Sequence, residues 1–333
     1  MTDQNTRELI RTFTSSVYEN SISQVDAEKS INKIHSHFKE ITNITGYDSK
    51  IEHLAAIPTA KGKALGLNFA AQCLFDYKRT TQFLRAMITV IKEKQKEKPG
   101  ELIRIFYAGC GPYAPFITLV APLFQPEEVQ FSLLEINSNA VASAKKLMDA
   151  LELSAYLQNF YTADAVTFKV PEADSFDILF SETLDAVLYR ECYVPILFNL
   201  LPQFNQDVVL IPENVILNVS LVTLATEDTA PKEDDFGTVF NTREAIASQQ
   251  HLDAIPKRFP GKEVDLSQVN TEVYEKFVLD TKVHVWGDIW LHRNESSLTV
   301  PRQYMLTQPF QSSAIIFAYF IEPEIEMKYK PVK

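Results

Sequence analysis

The feature that most constrains this chain is the alternation of short strands with helices between residues 103 and 213. Four apolar runs have the length and composition of strands: 103–108, 129–135, 176–182 and 207–213. Helical patterns occupy 139–151 and 188–201, and Pro195 is expected to bend the second of them. Because parallel strands need crossover connections, this alternation predicts an α/β core whose parallel sheet is covered by helices.

The flanking segments have different patterns. Apolar residues recur at threes and fours in 25–44, and a second helical pattern runs from Tyr77 until Pro99 and Gly100 stop it. After Pro212 the chain is strand-rich without helical crossovers, which predicts an antiparallel β domain. The expected division is therefore an N-terminal helical segment at 1–65, a Rossmann-like domain at 66–212 and a barrel-like β domain at 213–333.

Charge and cysteine content exclude several classes of protein. The net charge of −11 opposes nonspecific nucleic-acid binding and is compatible with a cationic substrate. Three scattered cysteines do not make a disulfide framework, and neither a signal-peptide pattern nor a membrane-spanning run is visible. We therefore expect a soluble cytoplasmic protein that binds no membrane. No metal site is expected, since His35 and His37 have no partners at ligand spacing.

A glycine-containing loop follows the first strand of the α/β region. The chain has only 9 glycines, and two of them, Gly109 and Gly111, lie in YAGCGPYAPF at 107–116. Glycine permits a tight turn and a close approach to a nucleotide. Glu135 ends the next predicted strand, 24 positions after Gly111, where a carboxylate can accept from both ribose hydroxyls. The alternative is an ordinary turn between a strand and a helix.

Two cofactors are compatible with this loop. Residues 109–114 match the G-x-G-x-x-A dinucleotide fingerprint, which would suit NAD. Pro112, however, removes an N–H where a pyrophosphate would need donors, and S-adenosylmethionine carries no phosphate. Asp164, which follows a third expected strand, can accept from an adenine amino group, although it can equally be a turn residue. We therefore favour S-adenosylmethionine over NAD.

Together these residues resemble the class I S-adenosylmethionine-dependent methyltransferases, and more narrowly the protein arginine methyltransferases. DYKRTTQF at 76–83 is similar to a family motif whose arginine binds the methionine carboxylate of the cofactor, which implies that role for Arg79. Without the neighbouring matches, Arg79 would be read as a solvated helix residue. The resemblance also places Tyr107 with the two glycines in the cofactor-binding motif and implies a homodimer, although 226–270 contains no clear dimerisation arm.

The narrower resemblance depends on FSETLDAVLYRE at 180–191. Ser181, Glu182 and Glu191 reproduce the family's double-glutamate loop, in which the second glutamate follows nine positions after the first. VVLIPENVILNVSLVTLATED at 208–228 is similar to the family's last sheet strand and the first strand of its barrel. The similarity extends over roughly 70–228.

Two facing carboxylates have a clear use. A guanidinium is planar, permanently charged and a poor nucleophile, and carboxylates bind it through charge-assisted hydrogen bonds. Glu182 and Glu191 would bind it, orient one nitrogen and accept a proton after methylation. The alternative is that Glu182 serves the cofactor and Glu191 is an exposed helix residue.

The departures from the family pattern bear on the acceptor. Thr183 to Ala186 replace the family's Trp-Met-Gly-Tyr, and neither its upstream tyrosine motif nor its threonine-histidine-tryptophan loop is evident. We therefore predict a small guanidine such as free arginine, with Asp185 receiving its α-amino group unless Asp185 simply begins a helix. The alternatives are protein arginine methylation, NAD-dependent oxidoreduction and a non-catalytic adenosylmethionine-binding protein.

Overall fold

The structure, a computed structural model, describes residues 3–223 and 230–332. The end of the strand expected at 208–228 and the start of the 226–270 stretch therefore lie partly outside the described residues. The α-helices of the described part are α1 (Asp3–Tyr18), α2 (Gln24–Thr42), α3 (Ile51–Leu54), α4 (Leu67–Gln72), α5 (Tyr77–Glu97), α6 (Pro115–Thr118), α7 (Ser138–Ala150), α8 (Tyr193–Leu200) and α9 (Thr242–Ser248). The strands of the N-terminal and central regions are β1 (Ile57–Pro58), β2 (Lys63–Ala64), β3 (Ile103–Ala108), β4 (Val129–Glu135), β5 (Leu157–Thr162), β6 (Ile178–Ser181) and β7 (Val209–Ile211). Those of the C-terminal region are β8 (Asn214–Thr223), β9 (Glu233–Asn241), β10 (Lys262–Asp265), β11 (Tyr274–Trp286), β12 (Ile289–Leu291), β13 (Arg302–Met305), β14 (Ala314–Phe320) and β15 (Glu326–Val332).

The N-terminal helices are defined by local signals and by one apolar face. Ser23 caps α2 by accepting from the Asp26 N–H at 3.2 Å, and α2 ends where Asn43 adopts a left-handed conformation. Along α2, Ile31, Ile34 and Phe38 are fully buried. Helices α1 and α2 contact each other and α5, so they form a cap beside the central sheet.

The central sheet has five parallel strands in the order β5-β4-β3-β6-β7. Chain connections leave β3 towards β4 and leave β6 towards β7, so the topology switches direction between β3 and β6. In open α/β sheets, ligands bind outside the carboxyl ends of the strands at such a point. This arrangement brings the ends of β3, β4, β5 and β6 to a common edge.

The C-terminal region is antiparallel. Strands β12, β11, β8 and β9 form one sheet, in which β13 also pairs with β11, and β10, β14 and β15 form another. The predicted fold class, a Rossmann-like parallel sheet with an N-terminal helical cap and a C-terminal antiparallel β region, is therefore confirmed. The boundaries proposed at 65 and 212 stay predictions.

The helix predicted at 188–201 is too long. The backbone instead adopts left-handed conformations at Val187, Leu188 and Arg190, with φ of 54°, 53° and 73°, and α8 begins only at Tyr193. Left-handed residues interrupt a right-handed helix, so 182–192 forms a loop. Pro195 does not bend α8, because it lies in the first turn, where no backbone N–H has a helical partner.

None of the described helices combines the length and apolar character that crossing a bilayer requires.

Candidate functional site

A cavity lies at the carboxyl edge of the parallel sheet, at the topological switch. It contains about 980 Å³ of space not filled by protein atoms, counting the solvent at its mouth. Its walls include every residue predicted to bind a cofactor and both predicted catalytic glutamates: Arg79, Tyr107, Gly109, Gly111, Glu135, Asp164, Glu182 and Glu191. The roles of these residues stay predictions, but the fold brings them together.

The glycine loop forms the floor of this cavity. Gly109 has φ of +76°, and a Cβ there would lie 2.2 Å from the Thr183 side chain, so both conformation and space require glycine. Gly111 has φ of +65°, and a Cβ there would meet only the Ala70 Cβ at 3.8 Å, an ordinary contact, so only its conformation favours glycine. Tyr107 is buried, and its hydroxyl donates to the Cys110 carbonyl at 3.3 Å, which braces the turn between the two glycines.

The helix after this loop differs from the expectation. Helix α6 has only four residues and follows Ala114, whose conformation is left-handed and whose side chain makes no capping bond. A single turn supplies few free N–H groups and little dipole for a pyrophosphate. This geometry disfavours the dinucleotide alternative.

Two carboxylates lie at the ends of β4 and β5. Glu135 accepts from the Gly111 N–H at 2.9 Å and from the Asn137 N–H at 2.8 Å, and its burial raises its pKa. Asp164 accepts from the Val166 N–H at 2.9 Å and from the Ala60 N–H at 2.6 Å. Backbone donors therefore fix the direction of both carboxylates, and each oxygen keeps a further lone pair for a ligand.

Arg79 reaches the cavity from the first turn of α5. Asp76 caps this helix by accepting from the Arg79 N–H at 3.2 Å. The Arg79 side chain, only 9% exposed, forms an ion pair with Glu182, whose side chain is 7% exposed. Arg79 is thus not a solvated helix residue, and its remaining guanidinium donors can still bind an anionic ligand.

The two glutamates share the cavity because the segment between them is a loop. Glu182 follows β6 directly, and Glu191 lies two residues before α8, so Glu191 is not an exposed helix residue. Burial raises the pKa of Glu182 to about 7 although Arg79 opposes the shift, and the nearby Glu191 raises it further. Burial likewise raises the pKa of Glu191 to about 7, with Asp185 adding to the shift. The Oε1 atom of Glu182 is buried and has no hydrogen-bond partner among the described residues.

A second cavity adjoins the first and shares Glu191 and Arg79 with it. Asp185 lines only this second cavity. Its burial raises its pKa to about 7, and its Oδ1 atom has no partner among the described residues. Asp185 precedes a single 3₁₀ turn and makes no side-chain capping bond, so it is not serving as a helix cap. Carboxylates therefore line both cavities: Glu182 lines the first, Glu191 both, and Asp185 the second.

Two contacts at the site were not predicted from the sequence. Asp76 accepts from the Ser296 hydroxyl and from the N–H and hydroxyl of Ser297, each at 2.7 Å, which ties the C-terminal region to the helix of Arg79. The β1–β2 hairpin supplies a wall of the first cavity through Thr59, Lys63 and Ala64. Neither contact had a sequence signal, because both join residues distant along the chain.

Within 3–223 and 230–332, no cluster of three or more His, Cys, Asp or Glu has metal-binding geometry. No described histidine lines either cavity, and the side chains of Cys73, Arg79 and Glu191 line both.

Comparison with known proteins gives structural likenesses only. No protein-family model matches the chain, and a search of curated proteins finds no match. The chain is structurally similar to protein arginine methyltransferases. The PRMT1 enzyme–prozyme heterotetramer of Trypanosoma brucei, solved with AdoHcy, has a TM-score of 0.49 and 11% identity, covering 79% of this chain and 97% of that one. The open conformation of Arabidopsis thaliana protein arginine methyltransferase 10 has a TM-score of 0.49 and 11% identity, covering 78% and 96%. Likenesses at this level do not assign roles to residues.

Proposed function

We propose that this protein is an S-adenosylmethionine-dependent N-methyltransferase that acts on a guanidinium nitrogen of a small cation such as free arginine. The observation that carries the proposal is that Glu182 and Glu191 line the same cavity as the glycine loop and Glu135. A pair of acids beside a nucleoside-type pocket suits the binding of a cation next to a cofactor.

The cavity has groups that fit each part of the cofactor. Glu135 is placed for the ribose hydroxyls and Asp164 for the adenine amino group, while Arg79 can bind the methionine carboxylate with donors that Glu182 does not use. When bound, S-adenosylmethionine supplies an electrophilic methyl group on a sulfonium.

The two glutamates would perform the rest of the chemistry. Each can accept charge-assisted hydrogen bonds from the guanidinium, which fixes its plane and directs one nitrogen along the line of displacement. As the C–N bond formed, the methyl–sulfur bond would break and adenosylhomocysteine would leave, so the nitrogen would carry a surplus proton. A carboxylate with pKa of about 7, as at Glu191, can take this proton and release it to water near neutral pH.

The second cavity favours an acceptor that carries another cation. Asp185 and Glu191 both line this cavity, and the Oδ1 atom of Asp185 lacks a hydrogen-bond partner among the described residues. A buried, unpartnered carboxylate gains from an ammonium donor. Free arginine has an α-ammonium group at the opposite end from its guanidinium and can engage both acids.

A peptide is the second candidate acceptor, and one observation favours it. Tyr47, Phe69 and Val300, which are 72%, 48% and 51% exposed, line the second cavity and give it an apolar rim. Such a rim can pack against neighbouring side chains of a longer substrate.

Incubation with methyl-labelled S-adenosylmethionine tests the proposal. Free arginine, methylguanidine and an arginine-rich peptide are supplied separately, and products are identified by mass spectrometry. Our proposal requires a guanidine product that is lost in Glu182→Gln. Labelling of the peptide alone selects protein arginine methylation. If the protein binds adenosylmethionine but labels no acceptor, it is a non-catalytic binding protein. If it binds NAD and not adenosylmethionine, oxidoreduction is the better reading.

A further inference from the structure

The β1–β2 hairpin contacts both the cofactor side and the acceptor side of the site. Its strands pair Ile57 with Ala64 and Pro58 with Lys63, and the turn between them is closed by a hydrogen bond from the Thr59 N–H to the Gly62 carbonyl at 3.2 Å. This short element lies far along the chain from the two glutamates. Its position in the site therefore depends on tertiary contacts.

On the cofactor side, the turn is held by one backbone bond. The Ala60 N–H donates to Asp164 Oδ2 at 2.6 Å. Asp164 is the group we assign to the adenine amino group. The hairpin thus contacts a carboxylate that the cofactor would also contact.

On the acceptor side, the hairpin is held by the residue that follows Glu191. The Cys192 thiol lies 2.9 Å from the Lys61 carbonyl, 3.4 Å from the Lys63 carbonyl and 3.1 Å from the Thr59 hydroxyl. A single parallel β-bridge also pairs Lys63 with Glu191 itself. These contacts restrain the backbone at Glu191 and at the residue that follows it.

The fit of the hairpin leaves little room for movement. Gly62 has φ of +88°, and a Cβ there would lie 2.5 Å from Ile325 Cδ1 and 3.1 Å from both the Arg190 carbonyl and the Cys192 sulfur. Lys61 forms an ion pair with Glu322. The hairpin is therefore packed between the glutamate loop and the C-terminal β region.

We propose that the hairpin positions Glu191 and couples that position to the cofactor cavity, with Cys192 as the positioning residue. The inference rests on the proposed function, because Glu191 is taken to hold the acceptor. Cofactor contact with Asp164 would stabilise the turn at Ala60, and the turn would hold Cys192 and hence Glu191. Acceptor binding and cofactor binding would then reinforce each other.

Kinetics test the part played by Cys192. Because a displacement of about 1 Å in a reacting group can cost up to about 100-fold in rate, we expect Cys192→Ala to lower kcat/KM for arginine about tenfold. The dissociation constant of adenosylhomocysteine should change less than about twofold. Cys192→Ser should keep an activity close to that of the wild type, since its hydroxyl can still donate to the Lys61 carbonyl. In a Glu191→Gln background, Cys192→Ala should cause no further loss. Wild-type kcat/KM in Cys192→Ala, or an equal loss in both backgrounds, overturns the assignment.

Thiol reactivity tests the coupling without any acceptor. Ala60→Pro removes the N–H that binds Asp164 at a turn position that tolerates proline, and Ala60→Ser is the control that keeps it. We expect iodoacetamide to alkylate Cys192 at least about tenfold faster in the proline variant than in the serine control. Bound adenosylhomocysteine should slow the reaction of Cys192 in the wild type. Equal Cys192 rates in the two variants refute the coupling. If the Cys192 rates differ as expected but the protein methylates no guanidine, the proposed function is wrong while the coupling stands.

Discussion

The ion pair between Arg79 and Glu182 allows a quantitative test of the site's electrostatics. Both side chains are more than nine-tenths buried, so Arg79→Ala leaves the Glu182 carboxylate buried without its cationic partner. Breaking a buried pair in this way costs about 3–5 kcal/mol, a large part of a typical unfolding free energy of about 5–15 kcal/mol. We expect the loss to be smaller at pH 6 than at pH 8, because Glu182, with a pKa of about 7, can then be protonated.

The assay is urea unfolding followed by tryptophan fluorescence. Trp286 and Trp290 report on the region beside α5, where Trp286 donates to Glu93 at 2.9 Å. The double variant Arg79→Ala/Glu182→Gln removes both charges, and we expect its loss of stability to be at least about 2 kcal/mol less than the sum of the losses in Arg79→Ala and Glu182→Gln. Lys29→Ala, which breaks a pair whose side chains are 73% and 62% exposed, should cost no more than about 0.5 kcal/mol. Single-variant losses that simply add within about 0.5 kcal/mol would refute the assignment of a coupled buried pair.

Three further predictions follow from the cavities. Asp185→Asn should raise KM for arginine about tenfold but leave KM for methylguanidine unchanged, since the loss of one charge-assisted bond costs about 1.5 kcal/mol; equal effects on both would refute the α-amino contact. The kcat/KM for arginine should rise as pH increases through about 7, because Glu191 ionises there. The raised pKa of Glu191 also stabilises the ligand-free protein: this contribution to the unfolding free energy is complete below about pH 4 and is lost as pH rises through 7. A flat activity profile between pH 6 and 8 would contradict this. Gly109→Ala should abolish adenosylhomocysteine binding in calorimetry, while Gly100→Ala, with a similar φ of +79° but open space, should only lower stability by about 1 kcal/mol.

The parallel core was predictable because its strands are short apolar runs with clear limits. The predicted strands 103–108 and 129–135 coincide with β3 and β4, since continuous apolar runs are typical of strands buried on both faces. Helix α5 was also expected, because Pro99 and Gly100 mark its end.

The backbone conformation of the loop between the two glutamates was not predictable from local sequence patterns. Val187 and Leu188 carry no turn signal, a β-branched residue such as Val187 seldom adopts a positive φ, and the pattern from Leu188 onwards predicts the helix at 188–201. Tertiary contacts override this local preference: the Thr281 hydroxyl accepts from the Val187 N–H at 2.7 Å, and the Tyr319 hydroxyl donates to the Leu188 carbonyl at 2.7 Å. Partners on distant strands thus decide the conformation that turns Glu191 into the cavity.

A crystal structure of the protein with adenosylhomocysteine and free arginine tests the central claim most directly. The account predicts that the arginine guanidinium lies between the carboxylates of Glu182 and Glu191, within hydrogen-bonding distance of both, with one nitrogen facing the sulfur atom. The α-amino group should lie against Asp185. A guanidinium bound elsewhere, or a Glu191 side chain turned out of the cavity when both ligands are present, would contradict it.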